Sequence, residues 1–279
     1  MERPLIGIDV GGTKMLMIAR WPNHTDSDVV PTGSDITVEE AEGAIVRFLN
    51  KLPLAPKAIG IAVAGLLDQN GEVVSCEVLP RLLHWAPKRS FEQLSPVVVM
   101  NDAEAALSEE SHDLPPKSTA AVVVVGTGTG AALIVDGKQV AGAQGWAGEL
   151  GSIPIALCAD DVKSLNDFAS GGSILRDLGL SSDELLQRLL EQDERVIKRV
   201  KLAGTALGLG LATLINLLNP HRVVFGGQPS TLPHYAESAL AAAKAYSFPL
   251  LWNGCDVRRS IHGGMLVVLG AARAADNSS

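Results

Sequence analysis

Three apolar runs end in glycine beside hydroxyl or charged residues. Leu5–Val10 runs into Gly11-Gly12-Thr13-Lys14, Thr119–Val125 into Gly126-Thr127-Gly128-Thr129-Gly130, and Arg222–Phe225 into Gly226-Gly227. Glycine after a buried strand lets backbone N–H groups approach an anion because no Cβ intervenes, and a neighbouring threonine adds a small hydroxyl donor. Two carboxylates stand near such places. Asp9 lies late in the first run, where an uncompensated charge is costly to bury. Asn101-Asp102 follows the apolar run Pro96–Met100, at a strand end where loops carry ligand-facing groups. Glycine turns for phosphate and a carboxylate to take a proton suit phosphoryl transfer, which needs charge neutralisation and a proton acceptor. The plainer alternatives are tight β-turns for the glycines and a helix cap for Asn101-Asp102, which favours the same residue types.

The elements that must position these residues follow from the pattern. Leu5–Val10 and Met15–Ala19 read as strand, tight turn, strand, followed by a polar loop with Pro22, Asn23 and Asp26. Thr37–Leu52 reads as a helix with Glu39, Glu40 and Glu42 early and Lys51 late. Lys57–Ala64 is a buried strand before the turn Asp68–Gly71, and Ala103–Ser111 has helix-forming composition. Thr119–Val125 and Ala131–Val135 then repeat the opening device of strand, Gly/Thr turn, strand, as a duplicated domain would. Helices follow near Ser182–Gln192 and Asp193–Leu218, the latter stopped by Asn219-Pro220. Strands alternating with helices predict α/β layers. Two nucleotide motifs are excluded by context. Gly7 and Gly12 have the P-loop spacing, but Thr13-Lys14 reverses the required order and a strand follows. Gly126-x-Gly128 lacks the third glycine of a dinucleotide turn and also leads into a strand.

Composition narrows the classes. The 279 residues are 47% hydrophobic and 19% charged, with a formal charge of −8, which suits a chain with a sizeable core and not a nucleic-acid binder. Three scattered cysteines, Cys76, Cys158 and Cys255, build neither a disulfide scaffold nor a paired-cysteine zinc site. There is no basic n-region with an apolar h-region, and the apolar stretch Ala203–Leu218 is shorter than a bilayer span. A cytoplasmic protein without membrane partners is the expectation.

Six segments in collinear order resemble sugar kinases of the ROK family, within the actin-like ATPase superfamily. IGIDVGGTK (Ile6–Lys14) and VVGTGTGAALIVDG (Val124–Gly137) are similar to its two phosphate motifs, and VVVMNDAEAA (Val97–Ala106) to its catalytic segment. GWAGELGSIPI (Gly145–Ile155) resembles its sugar loop, LINLLNPHRVVFGG (Leu214–Gly227) its nucleotide segment, and GGMLVVLGAARAA (Gly263–Ala275) its closing helix. The resemblance implies a two-lobed actin-like (ribonuclease H-like) α/β fold with duplicated mixed sheets and a central cleft. Residues 1–103 with 263–279 would form one lobe and residues 104–262 the other. It further implies ATP and Mg²⁺ as cofactors, Asp102 as catalytic base, Asn101 orienting a sugar hydroxyl, and Asp9 partnering Mg²⁺ through water. Gly11, Gly12, Thr13, Lys14, Gly126, Thr127 and Gly128 would hold phosphates. Gly226 and Gly227, with the helix glycines Gly204 and Gly208, would leave room for adenine and ribose, although those helix glycines equally suit close helix packing. Glu149 would accept hydrogen bonds from sugar hydroxyls. A homodimer is implied by resemblance alone.

The pattern departs from the family at the zinc element and the sugar loop. Ser152 stands at the position of its zinc-ligating, sugar-contacting His, and Cys158 is alone where the family has three cysteines, so no zinc is expected. The second sugar-binding Glu is replaced by Asn166, with Asp167 as the alternative in a shifted register. The leading expectation is ATP-dependent phosphorylation of a hexose or N-acetylhexosamine, at C6 by resemblance. A non-catalytic sugar or nucleotide sensor and a polyphosphate-dependent glucokinase are the alternatives. Repressors of the family carry a DNA-binding extension ahead of the first motif, and here Met1 stands close to that motif.

Overall fold

In unit 1, β1 (Leu5–Val10) turns through Gly11–Thr13 into β2 (Lys14–Arg20), which pairs antiparallel with β3 (Thr25–Pro31). The computed structural model describes residues 2–158 and 161–277. Unit 1 takes the described residues up to His112, the segment Ala141–Ala147 and the stretch from Met265 onward; unit 2 takes Asp113–Val140 and Gly148–Gly264. After β3 come α1 (Val38–Leu49), β4 (Ala58–Val63), the small hairpin β5 (Leu66–Leu67) and β6 (Val73–Ser75), α2 (Pro87–Phe91), β7 (Val97–Asn101) and α3 (Asp102–Glu110).

The sheet order is β3-β2-β1-β4-β7, with β1, β4 and β7 parallel. The inner strands β1 and β4 read as near-continuous aliphatic runs because both of their faces are covered. Ile6, Ile8 and Val10 pack with Ala41, Ile45 and Phe48 of α1 on one face. The closing helix, α10 (Leu266–Asn277), lies on the other. Gly7 and Gly60 make that approach possible: a Cβ at Gly7 would lie 2.1 Å from the Val268 carbonyl, and one at Gly60 1.9 Å from that of Ala271. The stretch around Asp26 is strand β3 and not the expected loop. It is a largely exposed edge strand whose backbone pairs along β2, and its Asp26 and Asp28 suit an edge that must not pair further.

Unit 2 repeats the plan. β8 (Ala120–Val125), β9 (Thr129–Val135) and β10 (Lys138–Gln139) form an antiparallel meander, followed by the hairpin β11 (Pro154–Cys158) and β12 (Asp161–Ser164). Then come α4 (Leu165–Ala169), α5 (Gly171–Leu178), α6 (Ser182–Leu190), α7 (Glu194–Leu218), β13 (Arg222–Gly226), α8 (Tyr235–Tyr246), α9 (Pro249–Asn253) and β14 (Asp256–Arg259). The order β10-β9-β8-β13-β14, with β8, β13 and β14 parallel, matches that of unit 1 strand for strand. The duplicated mixed sheet read from the two strand–turn–strand segments is thus present.

The core of unit 2 forms around α7, whose Val196, Val200, Ala203, Leu207 and Leu211 are buried. At 25 residues this helix is long and apolar enough to cross a membrane by length and composition, and 61% of its most apolar window is buried inside the protein, as in a core helix. Gly204 and Gly208 face α8: a Cβ at Gly204 would lie 2.2 Å from the Tyr235 carbonyl, and one at Gly208 2.5 Å from that of Ala239. Close helix packing is therefore what these two glycines serve.

Candidate functional site

Two carboxylates of unit 1, Asp9 and Asp102, lie at the C-terminal ends of its parallel strands. Register pairs Asp9 with Ala62 and Ala62 with Met100, so Asp9 and the Asn101-Asp102 pair end β1 and β7 with β4 between them. Adjacent strands lie about 4.8 Å apart, so roughly 10 Å separates β1 from β7. Asp9 is only partly exposed. Burial, reinforced by the negative charge of Asp102 and opposed by Lys14, pushes its carboxyl up to about 7. Asp9, Asp102 and Lys14 thus share one electrostatic environment.

Asn101 is the N-cap of α3: its Oδ1 accepts from the Glu104 N–H at 2.7 Å, and the Glu104 carboxylate accepts from the Asn101 N–H at 3.1 Å. The capping alternative is therefore realised in Asn101, and Asp102 becomes the first helical residue, where the helix dipole favours its negative charge. The Gly11–Thr13 turn is braced by Thr32, which sequence reasoning missed. The Thr32 hydroxyl donates to the Gly11 carbonyl at 2.6 Å and its N–H to the Thr13 carbonyl at 3.1 Å. Thr13 and Lys14 are exposed. A Cβ at Gly12 would lie 3.0 Å from that of Val78.

Unit 2 assembles a second set. In the β8–β9 turn Gly126 N–H donates to the Gly128 carbonyl at 2.7 Å, leaving Thr127 and Gly128 exposed. A Cβ at Gly126 meets no atom within 4 Å, and one at Gly128 meets only Asn166, at 3.8 Å. Neither residue has positive φ, so the protein's own packing gives no reason for glycine there. Gly227 differs: with φ of +99°, a Cβ would lie 2.0 Å from the Val125 carbonyl. Gly226, the last residue of β13, is buried.

The segment after Gly148 is fastened beside this turn. The Ala131 N–H donates to the Gly148 carbonyl at 2.8 Å, and Glu149 and Ser152 share one exposed turn in which the Ser152 N–H donates to the Glu149 carbonyl at 3.1 Å. Asn166 reaches the same place: its amide lies about where a Cβ of Gly151 would stand, and its buried Oδ1 has no hydrogen-bond partner among the described residues. Asp167 spends its carboxylate on α4, accepting from the Ser164 N–H at 2.8 Å and hydroxyl at 3.0 Å. Of the two neighbours, Asn166 is the one beside the turn.

Two further features escaped sequence reasoning. Trp146, in the segment that belongs to unit 1, donates its indole N–H to the Leu67 carbonyl at 2.8 Å and stays 37% exposed. The start of α5 packs on the β8–β9 turn, with the Gly171 N–H donating to the Gly126 carbonyl at 2.8 Å. The signal for the second was Ser170-Gly171-Gly172, a helix start whose glycines admit close backbone contact. Among the described residues no group of three His, Cys, Asp or Glu side chains is arranged to hold a metal ion. The Cys158 side chain, on which the zinc expectation bears, lies outside them.

Two five-stranded mixed sheets of matching order, each with a glycine turn after its first strand, define a duplicated α/β protein of the actin-like ATPase kind. The sequence model of the ROK family matches residues 5–277, and the chain belongs to that family. The xylose repressor of Caldicellulosiruptor bescii is 29% identical over 277 residues, covering 81% of this chain and 66% of the repressor; the chain thus spans just under two thirds of that relative. The N-acetylmannosamine kinase of Shigella boydii serotype 18 is 26% identical over 259 residues, covering 86% of this chain and 87% of the kinase. Among solved structures, the ROK hexokinase of Thermus thermophilus is 27% identical with a TM-score of 0.76, covering 99% of this chain and 98% of that one. A ROK glucokinase of Streptomyces griseus, solved with glucose and AMPPNP, shares the fold at a TM-score of 0.82 and 23% identity, covering 98% and 99%. The matches thus include both sugar kinases and a repressor.

Proposed function

We propose that this protein is a sugar kinase transferring the terminal phosphoryl group of ATP to a hydroxyl of a hexose or N-acetylhexosamine, at C6 by family resemblance. The observation that carries the reading is the pairing of Asp9 and Asp102 at the ends of parallel strands, beside the Gly11–Lys14 turn. Asp102 accepts the proton of the attacking hydroxyl as its oxygen bonds to phosphorus and the bond to the leaving nucleotide breaks. Its place in the first turn of α3 sets its carboxylate at the end of the helix dipole that favours negative charge. Asn101 spends Oδ1 on its cap, so its amide N–H₂ is the group left to orient a substrate oxygen. Glu149 and Asn166 receive sugar hydroxyls, and Ser152 offers a hydroxyl where the family has an imidazole.

On the nucleotide side, the turn's internal bond consumes the Gly126 N–H, so phosphate contacts fall to Thr127 and Gly128. The empty directions at Gly126 and Gly128 are a cradle that a side chain would fill. Gly11, Gly12, Thr13 and Lys14 of unit 1 offer a second glycine turn suited to phosphate, whereas Gly227 owes its glycine to the Val125 carbonyl. The single carboxylate of Asp9 fits a magnesium ion, which keeps most of its waters and takes its other ligands from substrate phosphates. When bound, Mg²⁺ neutralises phosphate charge. A second reading, a catalytically silent sugar sensor, is favoured by the xylose repressor among the relatives and by the changed residues Ser152 and Asn166.

The test is to incubate the protein with Mg-ATP, or with polyphosphate, and a panel of hexoses and N-acetylhexosamines, measuring sugar phosphate with Asp102→Ala in parallel. Sugar phosphate from ATP that disappears in the variant supports the kinase. Sugar binding without turnover on any donor supports the sensor instead, and transfer from polyphosphate alone establishes the other donor.

A further inference from the structure

The corner between α4 and α5 is held by two buried side chains from elsewhere in unit 2. Arg199 of α7, 9% exposed, uses all three guanidinium nitrogens. Nε donates to Asp177 Oδ2, Nη1 to the Phe168 carbonyl and Nη2 to the Ser173 hydroxyl, each at 2.9 Å. Tyr235 of α8, fully buried, donates its hydroxyl to the Ala169 carbonyl at 2.6 Å. Burying an arginine is costly unless it is paired and hydrogen-bonded, and each nitrogen of this one finds an acceptor on α4 or α5. The planar fork reads positions on both sides of the bend, which a lysine cannot do.

That corner delivers the first turn of α5 to the β8–β9 turn. Ser170 caps α5, accepting from the Ser173 N–H at 3.1 Å, and donates to the Asn166 carbonyl at 2.8 Å. Gly171 N–H reaches the Gly126 carbonyl at 2.8 Å. A Cβ on Gly171 would lie 2.9 Å from that carbonyl, and one on Gly172 2.8 Å from the carbonyl of Thr127. Gly204 completes the chain, since only its missing side chain lets α7 come within reach of the Tyr235 backbone. The backbone carbonyls of 168 and 169 are thus held by α7 and α8 and that of 126 by α5, with the Thr127 carbonyl packed against Gly172.

We infer that Arg199 and Tyr235 are positioning residues for the nucleotide: acting through the α4–α5 corner, they hold the Gly126–Gly128 turn in its phosphate-binding form. The inference rests on the reading of that turn as a phosphate site for its functional consequence, but not for the mechanical link. Neither residue touches the turn, so their effect passes through α5.

The experiment uses the intact protein with Tyr235→Phe, which removes one hydroxyl from a buried ring, and Arg199→Lys, which keeps the charge and loses the fork. Amide hydrogen exchange is followed at Gly126 and Gly171, with the β8 and β13 amides as internal reference. Losing one such hydrogen bond predicts about three- to tenfold faster exchange at Gly126 and Gly171 in Tyr235→Phe, with the reference strands unchanged and Arg199→Lys larger in effect. The KM for ATP rises by a similar factor while the KM for sugar stays within about twofold. Unchanged exchange at both glycines, or equal acceleration throughout unit 2, overturns the inference. So does an ATP KM that stays put in both variants of an active enzyme. If the wild-type protein transfers no phosphate, the proposed function fails, and the exchange data still decide whether these residues hold the turn.

Discussion

In unit 1 the turn after the first strand is closed from within, while in unit 2 its counterpart is open. A Cβ at Gly12 would crowd Val78 at 3.0 Å and one at Gly11 would lie 3.2 Å from the Lys14 carbonyl, and Thr32 ties the turn twice more. Gly126 faces empty space and Gly128 touches only Asn166. The chemistry differs in the same sense. The first strand of unit 1 carries Asp9, and β7, two strands away across β4, runs into Asp102, whereas the equivalent strand of unit 2 is AAVVVV, without an ionisable residue. One sheet order therefore carries two different turns: in unit 1 a turn tied by Thr32 beside acidic strand ends, and in unit 2 a neutral turn with open glycine backbone.

The sharpest way to break this division of labour is Asp102→Asn. It should lower kcat about 10²- to 10⁴-fold while calorimetric nucleotide affinity stays unchanged; equal losses in both would place Asp102 in nucleotide binding instead. Next in size is Asp9→Asn. The wild-type carboxyl is raised from 3.8 to about 7, so the folded form favours the protonated acid. That stabilisation is complete below pH 3.8 and is lost as pH rises through 7. In the ligand-free variant this fall should vanish, a difference on the order of a few kcal/mol by pH 8, seen as a flatter dependence of Tm on pH. Parallel curves would show that Asp9 carries no such strain.

Gly227→Ala forces a side chain into a left-handed backbone facing the Val125 carbonyl, and should cost about 2–3 kcal/mol in denaturant unfolding. Gly126→Ala should leave unfolding within about 0.5 kcal/mol of wild type yet raise the ATP KM about tenfold, the effect of losing one or two hydrogen bonds to a phosphate. If Gly126→Ala destabilises the fold as Gly227→Ala does, the open turn is structural after all.

Much of this was legible because the informative segments obey strong local rules. Leu5–Val10 and Thr119–Val125 are continuous aliphatic runs stopped by glycine, a pattern that a doubly covered strand imposes and little else does. Asn101 met the capping rule and the strand-end rule together, and it does serve as a cap. Asp26–Asp28 and Asp256–Arg259 were missed as strands because edge pairing asks for backbone and not for apolar side chains. Arg199 was hidden in a helix rich in charge at its start. The available signal was its place on the same stripe as Val196, Val200 and Ala203, where a solvated arginine would not sit. Asn166 and Asp167 could not be told apart from order alone, since which one closes the capping box with Ser164 depends on where α4 begins.

The dependence of β1 and β4 on α10 has a consequence for how the protein is made. Gly7 and Gly60 are shaped to receive the backbone of Val268 and Ala271, and a Cβ at Gly270 would in turn lie 1.8 Å from the Ala105 carbonyl in α3. The sheet of unit 1 thus stays uncovered on one face until α10, which follows every element of unit 2, leaves the ribosome, whereas unit 2 by then has all its parts. Asp9 and Asp102 sit at strand ends of the late-maturing sheet, so a nascent or prematurely terminated chain can hold a finished β8–β9 turn while the strands that carry these two carboxylates are still uncovered.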